Sequence, residues 1–371
     1  MSGAGDWAEL FSRLSVRRLP GSAALADVEA VIAERLIDMG YAVSRTRFWA
    51  SDRSLVAASV GGAGLGWIAI LISPFLTLDV TGWPVTLTGF GAIALTGLVA
   101  FGIYQGELRI GVREVTAENI CAVRSEEPRI WLVAHSDSKA QRFSLAGRVV
   151  AVVSLSVGTI WIVTALCVRP FTLLPWWLVL PGAVAAMIGG GALSKGTATN
   201  ESPGAVDNAT GMVAAMYAAQ QLVARSDVGV LITGAEEYGM VGAQVWSASG
   251  ERDCAFVNFD GIDSRGSVRI SMHESGRRRR SRGASRALAL AVGARLAVRG
   301  HRVIRNSLPL GVLVDGVALA KAGMSGVTLS RGDWHTLRVV HTVRDSEERV
   351  SVAAVLEFGR VVAAAVEDVL G

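Results

Sequence analysis

Four apolar stretches in two close pairs constrain this chain more than any other feature. They run over Leu55–Leu78 and Val85–Tyr104, then over Val149–Val168 and Phe171–Leu193. A helix needs roughly 20 apolar residues to cross about 30 Å of hydrocarbon, and each stretch is long enough. One such block alone could be a buried core helix. Four in two tight pairs, with Trp83, Trp161, Trp176 and Trp177 near their ends or within them, point to membrane spans. The composition agrees: 51% of residues are hydrophobic and 18% charged, and the apolar excess sits in these blocks.

Charge orients the spans. Arg45, Arg47, Arg53, Arg109, Arg113, Lys139, Arg142, Arg148 and Lys195 flank the blocks on the side of the remaining sequence. The two short outer turns hold only Arg169 among basic residues. The positive-inside rule then places both termini and the polar sequence in the cytoplasm, as expected of a multi-pass protein of a prokaryotic plasma membrane. Cys121, Cys167 and Cys254 are far apart and odd in number, which gives no disulfide framework and fits a reducing compartment. The first 22 residues lack an apolar signal core, so no cleaved export peptide is expected.

With the hairpins 55–104 and 145–194 set aside, residues 1–54, 105–144 and 195–371 read as one cytoplasmic domain. Residues 1–24 are polar and turn-like at Leu19-Pro-Gly-Ser22; a helix over Ala23–Met39 ends at Gly40, and Tyr41–Phe48 alternates as a half-buried strand. Ile130–Ala134, Val228–Ile232 and Cys254–Phe259 are short apolar runs of buried-strand type. Met212–Ala224, Ala284–Val298 and Val350–Leu370 have helical length and pattern. Strands alternating with helices imply an α/β three-layer sandwich around a mixed, largely parallel sheet, with four transmembrane helices inserted as two hairpins.

Each apolar run leads into residues that can bind metal. Ile130–Ala134 leads to His135-Ser-Asp137, Val228–Ile232 to Glu236-Glu237, and Cys254–Phe259 to Asp260. In open α/β sheets, sites form beyond the carboxyl ends of strands, so these ends should converge on one crevice. Asp207 lies in a glycine-containing loop before a helix, and His341 lies late in the chain. Imidazoles combined with carboxylates suit zinc, and manganese or cobalt less well. Two ions sharing a carboxylate need a further, unligated carboxylate as proton carrier, and an adjacent Glu-Glu pair can supply ligand and base together.

The motifs resemble peptidase family M28, the zinc aminopeptidases. They are Arg18-Leu-Pro-Gly-Ser22, Ala134-His-Ser-Asp137, Gly204-Ala-Val-Asp-Asn-Ala-Thr-Gly211, Ala235-Glu-Glu-Tyr-Gly239, Asn258-Phe-Asp260 and His341-Thr-Val-Arg-Asp345. Any one is weak; all in this order are specific. The resemblance implies two zinc ions per chain, one held by His135, Asp207 and Asp260, the other by Asp207, Glu237 and His341. It implies Glu236 as general base, Asp137 as the carboxylate that orients His135, and removal of N-terminal residues from peptides. Two departures stand out. The link between His135 and Asp207 holds a whole hairpin, and Val314-Asp315-Gly316 replaces the family's usual Ser-Asp-His.

Two rival functions accompany this reading. Glutaminyl-cyclase-like acyl transfer would use one zinc, and a membrane scaffold with a vestigial peptidase domain would have no need of Glu236. The run Arg277–Arg280 with Arg282 is expected to be a solvated loop, or else a patch against anionic lipid; without aromatic stacking residues, nucleic acid is not an expected partner. His273, His301 and His335 match no motif position, Asn208 reads as loop-shaping and Cys254 as core packing.

Overall fold

The computed structural model describes residues 4–124, 127–250, 253–275, 283–305 and 313–371, so the arginine run 277–282 lies outside the described residues. The chain divides into two units: Met1–Ala50, Glu114–Ala140 and Thr199–Gly371 form one, Ser51–Arg113 and Gln141–Ala198 the other. In chain order the elements are α1 (Ala4–Leu14), α2 (Ala23–Asp38), β1 (Ala42–Ser51), α3 (Arg53–Thr77), α4 (Gly82–Gln105), β2 (Glu114–Val123), β3 (Ile130–His135), α5 (Leu145–Val168) and α6 (Trp176–Leu193). There follow α7 (Thr210–Gln221), β4 (Val228–Thr233), α8 (Val241–Ala248), β5 (Ala255–Ile262), β6 (Ser267–His273), α9 (Ala284–Val298), β7 (Val303–Arg305), α10 (Asp315–Lys321), β8 (Ser325–Gly332), α11 (Trp334–Leu337) and α12 (Val352–Leu370).

Among the described residues, eight strands make one mixed sheet in the order β1-β2-β4-β3-β5-β8-β6-β7. Its centre, β4-β3-β5-β8, is parallel throughout, while β2 on β4 and β6 on β8 are antiparallel. Side chains alternate across a strand. On β3, Ile130, Leu132 and Ala134 therefore enter the larger core beneath α1, α2, α7, α9 and α12, while Trp131 and Val133 enter the smaller one beneath α8 and α10. Strands buried on both faces read as continuous apolar runs, which is why the three central ones were legible in the sequence. The edge strands β6 and β7 and the antiparallel β2 carry mixed residues and gave no comparable signal.

The N-terminal segment differs from its polar reading. Trp7, Leu10, Phe11 and Leu14 fall at helical spacing on α1 and are buried in the larger core. Polar residues between them mask this narrow apolar face.

The second unit holds α3, α4, α5 and α6, each of 18–25 residues and apolar enough to cross a membrane. Helices α3, α5 and α6 pack backbone to backbone. A Cβ on Gly158 of α5 would lie 2.2 Å from the amide nitrogen of Ala186 on α6, so only glycine allows this approach. Buried Arg169 donates to the carbonyls of Leu78 (2.7 Å) and Val80 (2.6 Å), joining the outer turns of the two hairpins. This unit extends a few residues past the apolar blocks because polar residues fasten its other end. Arg113 N–H donates to Asp52 Oδ1 at 2.8 Å, and Gln141 Nε2 donates to the Gly196 carbonyl at 2.6 Å.

Candidate metal centre

The parallel strands deliver their ligand-type residues to one place. His135 ends β3, Glu236 and Glu237 follow β4 in a single 3₁₀ turn, and Asp260 lies near the end of β5. Asp207 sits in the irregular turn before α7, and His341 follows α11 with a left-handed backbone (φ +66°). Ala235 and Met240, on either side of the Glu-Glu turn, are the other non-glycine residues with positive φ among those described. Such backbone costs on the order of 1–3 kcal/mol per residue and persists where surrounding structure over-determines it.

Asp207 lies at the middle. Its Oδ1 is 3.1 Å from His135 Nε2 and its Oδ2 is 3.1 Å from His341 Nε2. His341 Nε2 is also 3.4 Å from Glu237 Oε1. Two trios, His135–Asp207–Asp260 and Asp207–Glu237–His341, each bring one donor atom per residue within 4.8 Å of one another. Glu237 Oε1 and His341 Nδ1 are buried without a hydrogen-bond partner. Asp137, Asp207, Glu236, Glu237, Asp260, Asp315 and Asp345 crowd this region, against Lys139 and Arg18. Buried carboxylates in such excess need a cation or a proton, and nitrogen and oxygen donors at this spacing fit zinc.

The same crowding sets the ionisation of the chain. Burial, reinforced by Glu237, Asp315 and Asp260 and opposed by His135, pushes the Glu236 carboxyl well above the usual range. Burial likewise lifts Asp260 to about 7 and Asp315 to about 6. For Glu237, burial is outweighed by Lys139 and His341, which hold it at about 2. For Asp207 it is outweighed by the hydrogen bonds to His135 and His341, and the carboxyl lies well below its ordinary value. A bound cation would draw the raised carboxyls down.

Asp137 is placed differently from the role carried by the resemblance. Its carboxylate accepts Glu236 N–H (3.1 Å) and Glu237 N–H (3.0 Å), while Oδ1 stands 3.6 Å from His135 Nδ1. The closer partner of His135 Nδ1 is the Asp137 carbonyl, at 3.1 Å. Asp137 thus fixes the Glu-Glu turn directly and His135 mainly through its backbone. Asn208 shapes its loop, donating to the Phe259 carbonyl (2.8 Å) and accepting from Gly261 N–H (3.2 Å).

Sequence reasoning passed over several residues at this centre. Lys139, counted as a span-flanking charge, is buried with Nζ 2.5 Å from Glu237 Oε2. Asp345 accepts the N–H groups of Val206 (2.7 Å) and Asp207 (3.1 Å). Arg18, wholly buried, donates to the carbonyls of Leu14, Val16, Ser136, Pro203 and Gly204. Asp315 accepts from Thr233 Oγ1. Lys139, Arg18 and Asp345 all lie inside or next to the recognised motifs, which was the signal available. Of the unmatched histidines, His335 is exposed on α11 and His273 is buried, 2.9 Å from Thr328 Oγ1.

Behind the centre, buried Glu29 accepts from Ser136 Oγ at 3.2 Å. Burial first, then the nearby Glu118 carboxylate, lifts Glu29 to about 8. The folded state therefore keeps a proton that the unfolded chain has released, and stability falls as pH rises from about 4.5 to 8. Glu29→Gln is expected to be more stable than the parent by up to about 3 kcal/mol at pH 9, with the difference vanishing below pH 4.5. Thermal unfolding across that range checks this; equal stability at pH 9 would refute it.

The model of peptidase family M28 matches residues 188–366 of this chain. No curated protein sequence matches it. Among solved structures it is similar to an aminopeptidase from Aneurinibacillus sp. strain AM-1 (13% identity, TM-score 0.57, covering 99% of this chain and 93% of that one). It is also similar to a zinc aminopeptidase from Bacillus subtilis (16%, 0.57, 98% and 95%) and to Porphyromonas gingivalis glutaminyl cyclase (14%, 0.54, 99% and 98%). At these identities the neighbours establish the fold, and that fold with the sequence match over residues 188–366 bears out the resemblance to peptidase family M28.

Proposed function

We infer that the chain is a membrane-anchored, dizinc aminopeptidase, with its catalytic unit in the cytoplasm and peptides as substrates. The observation that carries the two-metal reading is Asp207, whose two oxygens meet different histidines at 3.1 Å and belong to both trios. His135, Asp207 and Asp260 would hold one ion; Asp207, Glu237 and His341 would hold the other. Bound there, the ions supply Lewis acidity toward a peptide carbonyl and toward water. Glu236, in neither trio, is the group free to take the water's proton and hand it to the departing amine. Asp137 and Asp345 keep the Glu-Glu turn and the Asp207 loop in register through backbone N–H groups.

One observation favours the single-zinc, glutaminyl-cyclase-like alternative. The Lys139 ammonium occupies Glu237 Oε2 and sets a fixed positive charge beside one trio, which works against a second cation. Metal analysis of detergent-purified protein with a panel of aminoacyl-anilides and an N-terminal glutaminyl peptide separates the two. The aminopeptidase reading expects two zinc ions per chain, anilide hydrolysis, and loss of both in Asp207→Ala. One zinc with cyclisation of the glutaminyl peptide would establish the alternative.

A further inference from the structure

The end of the helical unit at which α3 and α5 begin and α6 finishes holds an open cleft of about 340 Å³. Its walls are apolar, with Leu55, Phe143 and Leu193 among them, and its polar groups include Ser59, Arg148 and Lys195. The floor is narrow enough to admit about one oxygen-sized group. There Ser59, 8% exposed, buries a hydroxyl that has no hydrogen-bond partner. A buried hydroxyl is rarely left so unless a ligand or water reaches it. A Cβ on Gly196 would stand 3.2 Å from Ser59 Oγ and 2.9 Å from the Leu193 carbonyl, so glycine keeps the floor clear.

The basic groups are held in place. Gln141, itself buried, accepts from Arg148 Nη1 through Oε1 while its Nε2 donates to the Gly196 carbonyl. That bridge orders the guanidinium at the cleft before any ligand arrives, which lowers the cost of binding. The surrounding segments 51–54, 105–113, 141–148 and 194–198 hold six basic and two acidic residues, and one of the acids, Asp52, is engaged by Arg113 N–H. A planar guanidinium, an ammonium and a lone hydroxyl donor suit a phosphate diester, and apolar walls beside them suit an acyl chain.

We propose that this cleft is a binding site for an anionic phospholipid, with the headgroup phosphate on Arg148, Lys195 and Ser59 and an acyl chain along Leu55 and Leu193. The proposal rests on the reading of the four helices as spans and not on the peptidase chemistry. The test is native mass spectrometry of the full-length, detergent-purified protein equilibrated with phosphatidylglycerol, with phosphatidylcholine, or with inorganic phosphate alone. Phosphatidylglycerol should be retained preferentially. The double variant Arg148→Gln/Lys195→Gln should cut that retention about 30-fold, from about 1 kcal/mol per basic residue. Ser59→Ala should cut it about threefold or more. Arg142→Gln, which removes an exposed arginine outside the cleft, should leave it within twofold.

Equal retention of the two lipids, or equal loss in Arg142→Gln and the double variant, would overturn the proposal in favour of diffuse charge. Displacement of the lipid by millimolar inorganic phosphate would assign the site to free phosphate instead. Release of the chain from membranes by alkaline carbonate would sink the span reading and the proposal with it. Integral behaviour without lipid preference would sink the proposal alone.

Discussion

Glu236→Gln should lower aminoacyl-anilide turnover by about 10²–10⁴-fold while zinc content stays at the parent level. The amide has nearly the same shape as the carboxylate, and Glu236 is in neither trio, so nothing that holds metal is removed. What disappears is the group able to accept a proton. Its environment suits that task, because burial beside Glu237, Asp315 and Asp260 favours the protonated form and opposes loss of the proton once gained. Turnover within threefold of the parent would refute Glu236 as base. Loss of zinc in this variant would show instead that Glu236 is a ligand. The pH dependence of kcat/KM should change with the variant too, since the group titrating in the free enzyme is replaced.

Arg18→Met should be the most destabilising single change at the centre. The guanidinium lies wholly buried and donates to five backbone carbonyls, drawn from three parts of the chain. Each buried acceptor left without a partner costs about 1–3 kcal/mol, and partial relaxation leaves an expected loss of about 3–5 kcal/mol. Two of those acceptors lie close to ligands in the chain: Ser136 follows His135, and Gly204 precedes Asp207 by three residues. Zinc affinity should therefore fall about 10–100-fold even in the fraction that folds. Arg18→Lys should not restore it, because an ammonium cannot reproduce the planar fork of donors. Thermal unfolding and zinc titration read the two effects separately. A variant that melts with the parent and binds zinc equally would show that the five hydrogen bonds do not position the site.

Much of this centre was legible before any fold was known. His135, Asp207, Glu237, Asp260 and His341 were named from motif order, and the structure brings their donor atoms into two trios. Central strands announced themselves because both faces are buried, and the four long helices because a continuous apolar run of that length has few other uses. The N-terminal helix was not legible, since its four buried residues are interleaved with polar ones. Neither was the pairing of Lys139: a lysine in a sequence looks solvated, and only the approach of Glu237, 98 residues later, makes it a buried partner.

Sequence alone determined which residue types stand at the ends of the strands and which segments are apolar enough to leave water, because both are local properties of composition and spacing. Tertiary structure decided which of those residues share an atom's breadth of space. It set Asp207 between two histidines, turned Asp137 toward the Glu-Glu backbone rather than squarely onto His135, and buried Arg18 under five carbonyls. Those relations depend on contacts between segments more than a hundred residues apart, and no local pattern encodes a distance across the fold.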